Sequence, residues 1–226
     1  MEGLTLYTYF RSSCSYRVRI AMALKGLPYS SEYIHLLEGG GRNWSPEYLA
    51  INPQGLVPML KDGAILLTQS LAIIEYLDHT CPQPPLLPAM VQERAYVRSL
   101  AQMISSDVQP LNNLQVLEYL RQRLQVPEEG ILEWYHHWTS LGFQAMEQRL
   151  AQHGCSGSFC FGDSPTLADI CLIPQVYNAM RFGCEIDSYS LIRGIYDHCI
   201  GLEAFQYAAP DNQGDAPDQA SDGVSG

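Results

Sequence analysis

The sequence has 226 residues, of which 46% are hydrophobic and 16% charged, and its formal net charge is −11 at pH 7. This composition is typical of a globular protein with one large domain or two small ones. The acidic charge argues against a general nucleic-acid binder, which needs a basic surface. No apolar run approaches the ~20 residues that span a membrane.

Seven cysteines stand at irregular spacings, and no Cys-x-x-Cys pair occurs. The count is odd, and the first residues contain no basic region followed by an apolar core. We therefore expect free thiols and a cytoplasmic location. His136 and His137 are adjacent and point to different sides of a helix, so the pattern predicts no metal site.

The most informative stretch runs from Leu4 to Lys25. Its residues up to Phe10 are mostly apolar, aromatic or Thr, which is typical of a short buried strand. Three serines and a cysteine then fall within residues 11–15, and from Tyr16 the apolar residues recur with a helical period. The stretch predicts a strand, a turn and a helix whose first amides suit an anion, including a thiolate.

Two interpretations of this helix start remain open on the residues alone. In the first, Ser12 or Ser13 caps the helix and Cys14 is a small buried residue. In the second, the start is a positive pocket for a small anionic ligand in an otherwise acidic protein. Three arginines lie close to it in sequence: Arg11, Arg17 and Arg19.

The next 55 residues or so favour short strands and helices. We predict a strand over residues 29–37, which completes a β-α-β unit, and a short helix over 46–50 after an N-cap at Ser45. A strand from Val57 and a hairpin at Asp62-Gly63 follow. Composition alone favours a trans peptide before Pro58, and a helix is predicted over 71–79, with Ser70 at its N-terminus.

Prolines are concentrated in residues 81–89, where we place a linker between a first domain, residues 1–80, and a second domain, residues 90–207. The second domain is predicted to be helical throughout, with a capping box from Thr166 to Asp169. Its predicted helices cover residues 93–108, 111–124, 128–153, 166–181 and 189–200. Residues 208–226 lack large apolar side chains and are predicted to be a disordered acidic tail.

This layout resembles that of the cytosolic glutathione transferases, which join a thioredoxin-like α/β domain to an all-helical domain. The run RSSCSYRVRIA at residues 11–21 closely resembles the signature of the zeta class, which includes maleylacetoacetate and maleylpyruvate isomerases. Further stretches resemble the same class in order: Asn52-Pro53, Val57-Pro58, residues 69–77, Gln109-Pro110-Leu111, and Asp169 with Pro174-Gln175-Val176. The similarity spans residues 4–207.

The resemblance implies glutathione as the cofactor and a cis peptide before Pro58. It implies that Ser12 donates to the glutathione sulfur, and that Gln69 and Ser70 hold the γ-glutamyl carboxylate. The residues that it implies as catalytic are Ser12, Ser13, Cys14 and Arg17. Those that it implies as cofactor-binding also include Ser15, Tyr16, Asn43, Val57, Pro58, Gln109, Asn113, Leu114 and Gln115. Arg11 and Arg181 are implied as substrate-binding.

The activity implied by the resemblance is cis–trans isomerisation of a small anionic maleyl keto acid, in aromatic amino acid or tyrosine catabolism, by a homodimer. The sequence departs from the family at three places. Asn43 stands where Gln is frequent, Tyr16 stands where many members have Trp, and the loop Gln54–Leu56 is shorter than in animal members.

Three alternatives are kept. The first is a glutathione transferase or dehalogenase acting on α-halo acids. The second uses Cys14 in thiol–disulfide chemistry, although no resolving cysteine stands at a Cys-x-x-Cys position. The third is a glutathione-binding protein without catalytic activity, since a fold does not determine a function.

Overall fold

The structure is a computed structural model that describes residues 3–217. The chain divides into two compact units. Of the described residues, the first unit comprises 3–84 and 203–217, and the second is Pro85–Leu202. The proline-rich segment 81–89 contains the first of these boundaries, and the C-terminal segment belongs to the first unit.

The first unit contains a four-stranded mixed sheet with the strand order β2-β1-β3-β4. Strands β1 and β2 are parallel, whereas β3 pairs antiparallel with both β1 and β4. A parallel β-α-β unit followed by an antiparallel hairpin is the thioredoxin-like arrangement, as predicted. Its strands are β1 (Thr5–Thr8), β2 (Ser30–Tyr33), β3 (Met59–Asp62) and β4 (Ile65–Thr68). Its first three helices are α1 (Ser13–Leu24), α2 (Pro46–Ile51) and α3 (Ser70–Thr80).

Helix α1 is buried along most of its length, including its two arginines. Its C-terminal cap, Lys25, has an ammonium group that donates to Asp78 Oδ1 at 2.8 Å and to the carbonyl oxygens of Cys81 and Pro84. These three acceptors compensate the burial of the charge. They fasten the end of α1 to the end of α3.

The second unit is helical throughout, as predicted. Its helices are α4 (Val91–Gln102), α5 (Leu114–Gln122), α6 (Glu128–His153), α7 (Leu167–Arg181) and α8 (Ser190–Cys199). The predicted capping box is present at the start of α7. The Asp169 side chain accepts from the Thr166 amide, and the Thr166 side chain accepts from the backbone amide of Asp169. The predicted helix over 93–108 changes to π-helical geometry over Met103–Val108. Within residues 3–217, no helix has the length and apolarity needed to cross a membrane.

The C-terminal segment differs from the prediction. A further helix, α9 (Glu203–Ala208), packs against α1, and its Phe205 is fully buried. The prediction of disorder is wrong for residues 208–217, because Asp215 accepts a hydrogen bond from the Phe10 amide and Ala208 accepts one from Arg19. Residues 218–226, the rest of the predicted tail, lie outside the described residues.

Candidate active site

The turn after β1 ends in a helix cap. Ser12 has extended backbone geometry, and its Oγ accepts a hydrogen bond from the Ser15 amide at 3.2 Å, so that α1 begins at Ser13. The Ser12 amide itself donates to the Tyr9 carbonyl at 3.0 Å. Since Oγ is an acceptor in the cap, the hydroxyl hydrogen of Ser12 can still donate to an anion. The capping and anion-binding interpretations are therefore compatible.

Behind this helix start lies the buried guanidinium of Arg17, which is only 1% exposed. Its Nη1 is 3.8 Å from the Cys14 Sγ and 3.4 Å from the Ser70 Oγ. Ser70 is the first residue of α3. Arg17 therefore connects the N-termini of two helices, and its positive charge adds to the two helix dipoles.

The start of α3 is strained. Gln69, its N-cap, has φ 70° and ψ 113°, in the left-handed region that non-glycine residues rarely adopt. Its Nε2 donates to the Gln54 Oε1 at 3.1 Å. Such strain is concentrated at binding and catalytic sites, and here it occurs at a residue that the family resemblance implies as binding a carboxylate.

The peptide between Val57 and Pro58 is cis. The expectation from composition was trans and is wrong, whereas the expectation from the family resemblance is confirmed. Asn43 is 4% exposed and lies against the same segment, since its Nδ2 donates to the Gly55 carbonyl at 2.9 Å.

Buried polar atoms without a hydrogen-bond partner are concentrated around these residues. Among the described residues there are seven such side-chain atoms, and four of them belong to predicted cofactor-binding residues. These four are Ser15 Oγ, Arg17 Nε, Arg17 Nη2 and Asn43 Oδ1. Because an unpaired buried polar atom is costly, they fit a polar, anionic cofactor held here.

The three arginines near α1 have different roles. Arg19 is fully buried and donates to Thr8 Oγ1 and to the carbonyl oxygens of Tyr9, Phe10 and Ala208. Burial lowers its pKa to about 10. It is a structural residue, and the predicted cationic pocket is wrong in including it.

Arg11, in contrast, is exposed, with its guanidinium carbon 5.1 Å from the Phe10 ring centroid. It faces a cavity of about 500 Å³ within the first unit. The other residues that line the cavity are Tyr9, Phe10, Tyr33, His35, Leu37, Glu38, Arg42, Asp215 and Pro217. An exposed guanidinium at such a cavity is available to an anionic substrate.

Comparison with known proteins places the chain in a family. Residues 11–80 match the glutathione S-transferase N-terminal domain, and residues 142–185 match the glutathione S-transferase C-terminal domain. A probable maleylacetoacetate isomerase of Vibrio cholerae is 46% identical over 96% of this chain and 100% of its own length. A solved maleylpyruvate isomerase, described as a bacterial zeta-class enzyme, is 44% identical over 94% of this chain and 100% of its own, with a TM-score of 0.91. The chain belongs to the zeta class of glutathione transferases.

A third relative of this zeta-class chain is a structure of maleylacetoacetate isomerase from Methylobacterium extorquens, solved with bound malonate and glutathione. It is 38% identical over 94% of this chain and 99% of its own, with a TM-score of 0.90.

Other predicted residues of the zeta-class chain lie in the second unit. Asn113 caps α5 and accepts from the Gln115 amide at 3.0 Å, and Gln109 ends the π-helical segment. Leu114 is the first residue of α5.

Arg181 is the last residue of α7, and its guanidinium carbon lies 5.1 Å from the ring centroid of Phe182. The Phe182 ring is stacked on Tyr135, with 4.0 Å between centroids and 14° between planes. Sequence reasoning connected neither aromatic residue with Arg181. Their proximity depends on the packing of α6 against the end of α7, and no local pattern reports it.

Proposed function

We propose that this protein is a glutathione-dependent cis–trans isomerase of a maleyl keto acid, either maleylacetoacetate or maleylpyruvate. One observation carries the proposal. Arg17 connects the N-termini of α1 and α3, and three predicted cofactor-binding residues, Ser15, Arg17 and Asn43, hold four unpartnered buried polar atoms. The names of the relatives supply the substrate class.

In this proposal, the two helix starts hold two different parts of one cofactor. The first amides of α3 and the Ser70 hydroxyl bind the γ-glutamyl carboxylate of glutathione, while the Val57 backbone pairs with its cysteinyl part. Asn43 uses its unpaired Oδ1 as an acceptor for a donor on the cofactor. The first amides of α1 and the Ser12 hydroxyl point to the sulfur.

A double bond must lose its π character before it can rotate, since even the partial double bond of a peptide resists rotation by ~18–20 kcal/mol. Glutathione, when bound, would supply the thiolate for a reversible addition to the conjugated carbon, which would leave a single bond able to rotate until the thiolate is released. Ser12 donates its hydroxyl hydrogen toward the sulfur, and the first α1 amides favour the anionic form. Arg11 and Arg181 are assigned to the substrate carboxylates and to the negative charge that develops on the keto group.

Arg17 receives a narrower role than the sequence implied. Because the guanidinium is buried beside Cys14 and Ser70, it acts on the substrate through these two residues and through its charge, and its unpaired Nε and Nη2 are left for the cofactor. It is a cofactor-binding residue in this proposal and not a catalytic one. Cys14 is half-buried beside that charge, so the alternative in which Cys14 is the nucleophile keeps a structural basis and must be tested.

We also propose that the protein is a cytoplasmic homodimer. All seven cysteines lie among the described residues as free thiols, which suits a reducing compartment. In the first unit, the edge strand β4 exposes Ile65 and Leu66, and in the second unit Met90 and Val91 are exposed at the start of α4. Exposed apolar groups of this kind support association with a second copy. Light scattering that gave the mass of one chain would contradict the dimer.

The experiment that tests the activity follows both maleyl acids by product analysis while glutathione is measured in parallel. The proposal predicts a fumaryl product from at least one substrate, with the amount of glutathione unchanged. Net consumption of glutathione, together with halide release from an α-halo acid and no fumaryl product, would support the transferase or dehalogenase instead. Binding of glutathione without any turnover would indicate a binding protein.

A further inference from the structure

The C-terminal segment after α9 folds back onto the first unit as a strap, which we define as residues 209–217. Side chains within it bond to the end of α9. Asn212 Nδ2 donates to the Gln206 carbonyl at 2.6 Å, and Gln213 Nε2 donates to the carbonyls of Tyr207 and Ala209 at 2.9 Å each. The strap is thus anchored where it leaves the helix.

The strap then packs on the carboxyl ends of β1 and β2. Ala216 packs against the buried cluster that contains Tyr9 and Phe10. Gly214 passes so close to Tyr33 that a Cβ atom on it would lie 2.6 Å from the tyrosine hydroxyl oxygen. The strap therefore fits this edge closely.

Two bonds from opposite directions fix the Phe10 residue, two positions before Ser12. Its amide donates to the Asp215 Oδ2 at 3.0 Å, and its carbonyl accepts from the Arg19 Nη2 at 3.0 Å. Arg19 in turn donates through Nε to the Ala208 carbonyl at 2.9 Å. The C-terminal segment thus holds both the N–H and, through Arg19, the C=O of Phe10.

The negative charge of Asp215 also compensates the positive charge of Arg19. Arg19 is fully buried, which lowers its pKa, and among the described residues the Asp215 carboxylate opposes that shift by its negative charge. Burial raises the pKa of Asp215, and the Phe10 amide and the Arg19 charge oppose this effect. A buried cation needs a compensating charge or acceptor. Asp215 of the strap provides the charge, and Ala208 at the end of α9 provides the acceptor.

We propose that Asp215 is a positioning residue for the glutathione site: it holds the Phe10 peptide so that Ser12 presents its hydroxyl, and the α1 amides their N–H groups, at a fixed point. This inference rests on the proposed function, since the position of Ser12 matters for a sulfur bound there. The strap also lines the cavity that Arg11 faces. One short segment therefore borders the backbone that leads to Ser12 and the place assigned to the substrate carboxylate.

Three variants separate the contributions of Asp215. Asp215→Ala removes the acceptor for the Phe10 amide, whereas Asp215→Asn keeps an acceptor oxygen and removes the charge. The matched control is Asp211→Asn, which changes an exposed carboxylate on the same strap. Each full-length variant is measured for KM and kcat, for the dissociation constant of S-methylglutathione by calorimetry, and for amide hydrogen exchange at residues 10–14.

For Asp215→Ala we expect KM for glutathione and the dissociation constant to rise by about tenfold, which corresponds to the loss of one charge-assisted hydrogen bond. Exchange at residues 10–14 should accelerate more than exchange in β3. Asp215→Asn should recover a large part of the affinity, and Asp211→Asn should match the wild type. A merely structural role would lower the melting temperature and leave KM and the dissociation constant unchanged, and that result would overturn the proposal.

The exchange and calorimetric measurements need no turnover. If the wild type bound S-methylglutathione and failed to isomerise any maleyl acid, the proposed function would fail while the role of Asp215 would still be decided. If the wild type were active and Asp215→Ala shared its KM, affinity and exchange, the role of Asp215 would fail while the function would stand.

Discussion

The Nη1 atom of Arg17 lies 3.4 Å from the Ser70 Oγ. A buried cation near the start of α1 therefore contacts the first residue of α3. The two residues are 53 positions apart in sequence. Their contact brings two helix N-termini, each suited to an anion, around one positive charge.

The first prediction concerns this charge. Arg17→Met keeps most of the buried apolar stem and removes the guanidinium, so the affinity for S-methylglutathione should fall by about tenfold or more. Arg17→Lys should retain part of the affinity, because it restores the charge without the planar group. Calorimetry checks both values, with Arg121→Met, a change at an exposed ion pair, as the control. Unchanged affinity in Arg17→Met would contradict the assigned role.

The second prediction separates Ser12 from Cys14. Ser12→Ala should lower kcat by about a hundredfold, as expected when one donor to a developing anion is removed, whereas Cys14→Ala should preserve most of the turnover. Ser12→Ala also removes a helix cap worth about 1 kcal/mol. Ser45→Ala is therefore the matched control, since Ser45 caps α2 through a bond to the Tyr48 amide with the same 3.2 Å length.

If Ser12→Ala and Ser45→Ala lowered the melting temperature alike and only Ser12→Ala lost turnover, the catalytic role of the serine would be established apart from its capping role. Loss of turnover in Cys14→Ala with an active Ser12→Ala would assign the chemistry to the cysteine.

These cases show what local sequence reports. The cap at Ser12 and the capping box at Thr166 were predictable because each depends on residues within three positions of one another. The burial of Arg19 and the contact of Asp215 with Phe10 were not, since the partners are up to 205 residues apart and the tail composition is typical of disorder. The cis peptide before Pro58 followed from the family resemblance and contradicted the composition.

The third prediction concerns Asp169, which is fully buried and accepts from the Cys160 amide, the Thr166 amide and the Thr166 hydroxyl. Burial raises its pKa above the ordinary value of 3.8. The folded state therefore holds the proton more tightly than the unfolded state, and this group makes the free energy of unfolding decrease as pH rises from the unfolded to the folded pKa. Above the folded pKa its contribution is constant.

Asp169→Asn should lower the free energy of unfolding by about 1–3 kcal/mol, because the NH2 group of Asn would face backbone N–H or hydroxyl donors in place of a carboxylate oxygen. It should also remove that part of the pH dependence. The difference in free energy of unfolding between the wild type and Asp169→Asn should therefore be largest at the lowest pH values tested. Denaturant unfolding at a series of pH values measures both effects. Asp163→Asn, at an exposed carboxylate in the preceding loop, serves as the control, and equal pH profiles for wild type and Asp169→Asn would refute the prediction.

The fourth prediction concerns the aromatic stack beneath Arg181. Because the guanidinium lies over the Phe182 ring, Phe182→Leu should raise KM for the maleyl acid by about fivefold at saturating glutathione and leave kcat nearly unchanged. Phe182→Tyr keeps an aromatic face and should behave like the wild type, and Arg181→Met should have the larger effect. Steady-state kinetics with all three variants test the assignment, and equal KM shifts in Phe182→Leu and Phe182→Tyr would speak against the stack.

The most direct test of the whole account is the rate of maleyl acid isomerisation with no thiol, with glutathione, and with S-methylglutathione, which occupies the site without a free thiol. We expect turnover only when glutathione is present, the same quantity of glutathione before and after the reaction, and inhibition when S-methylglutathione is added to the glutathione reaction. An equal rate in the absence of glutathione would contradict the proposed role of glutathione.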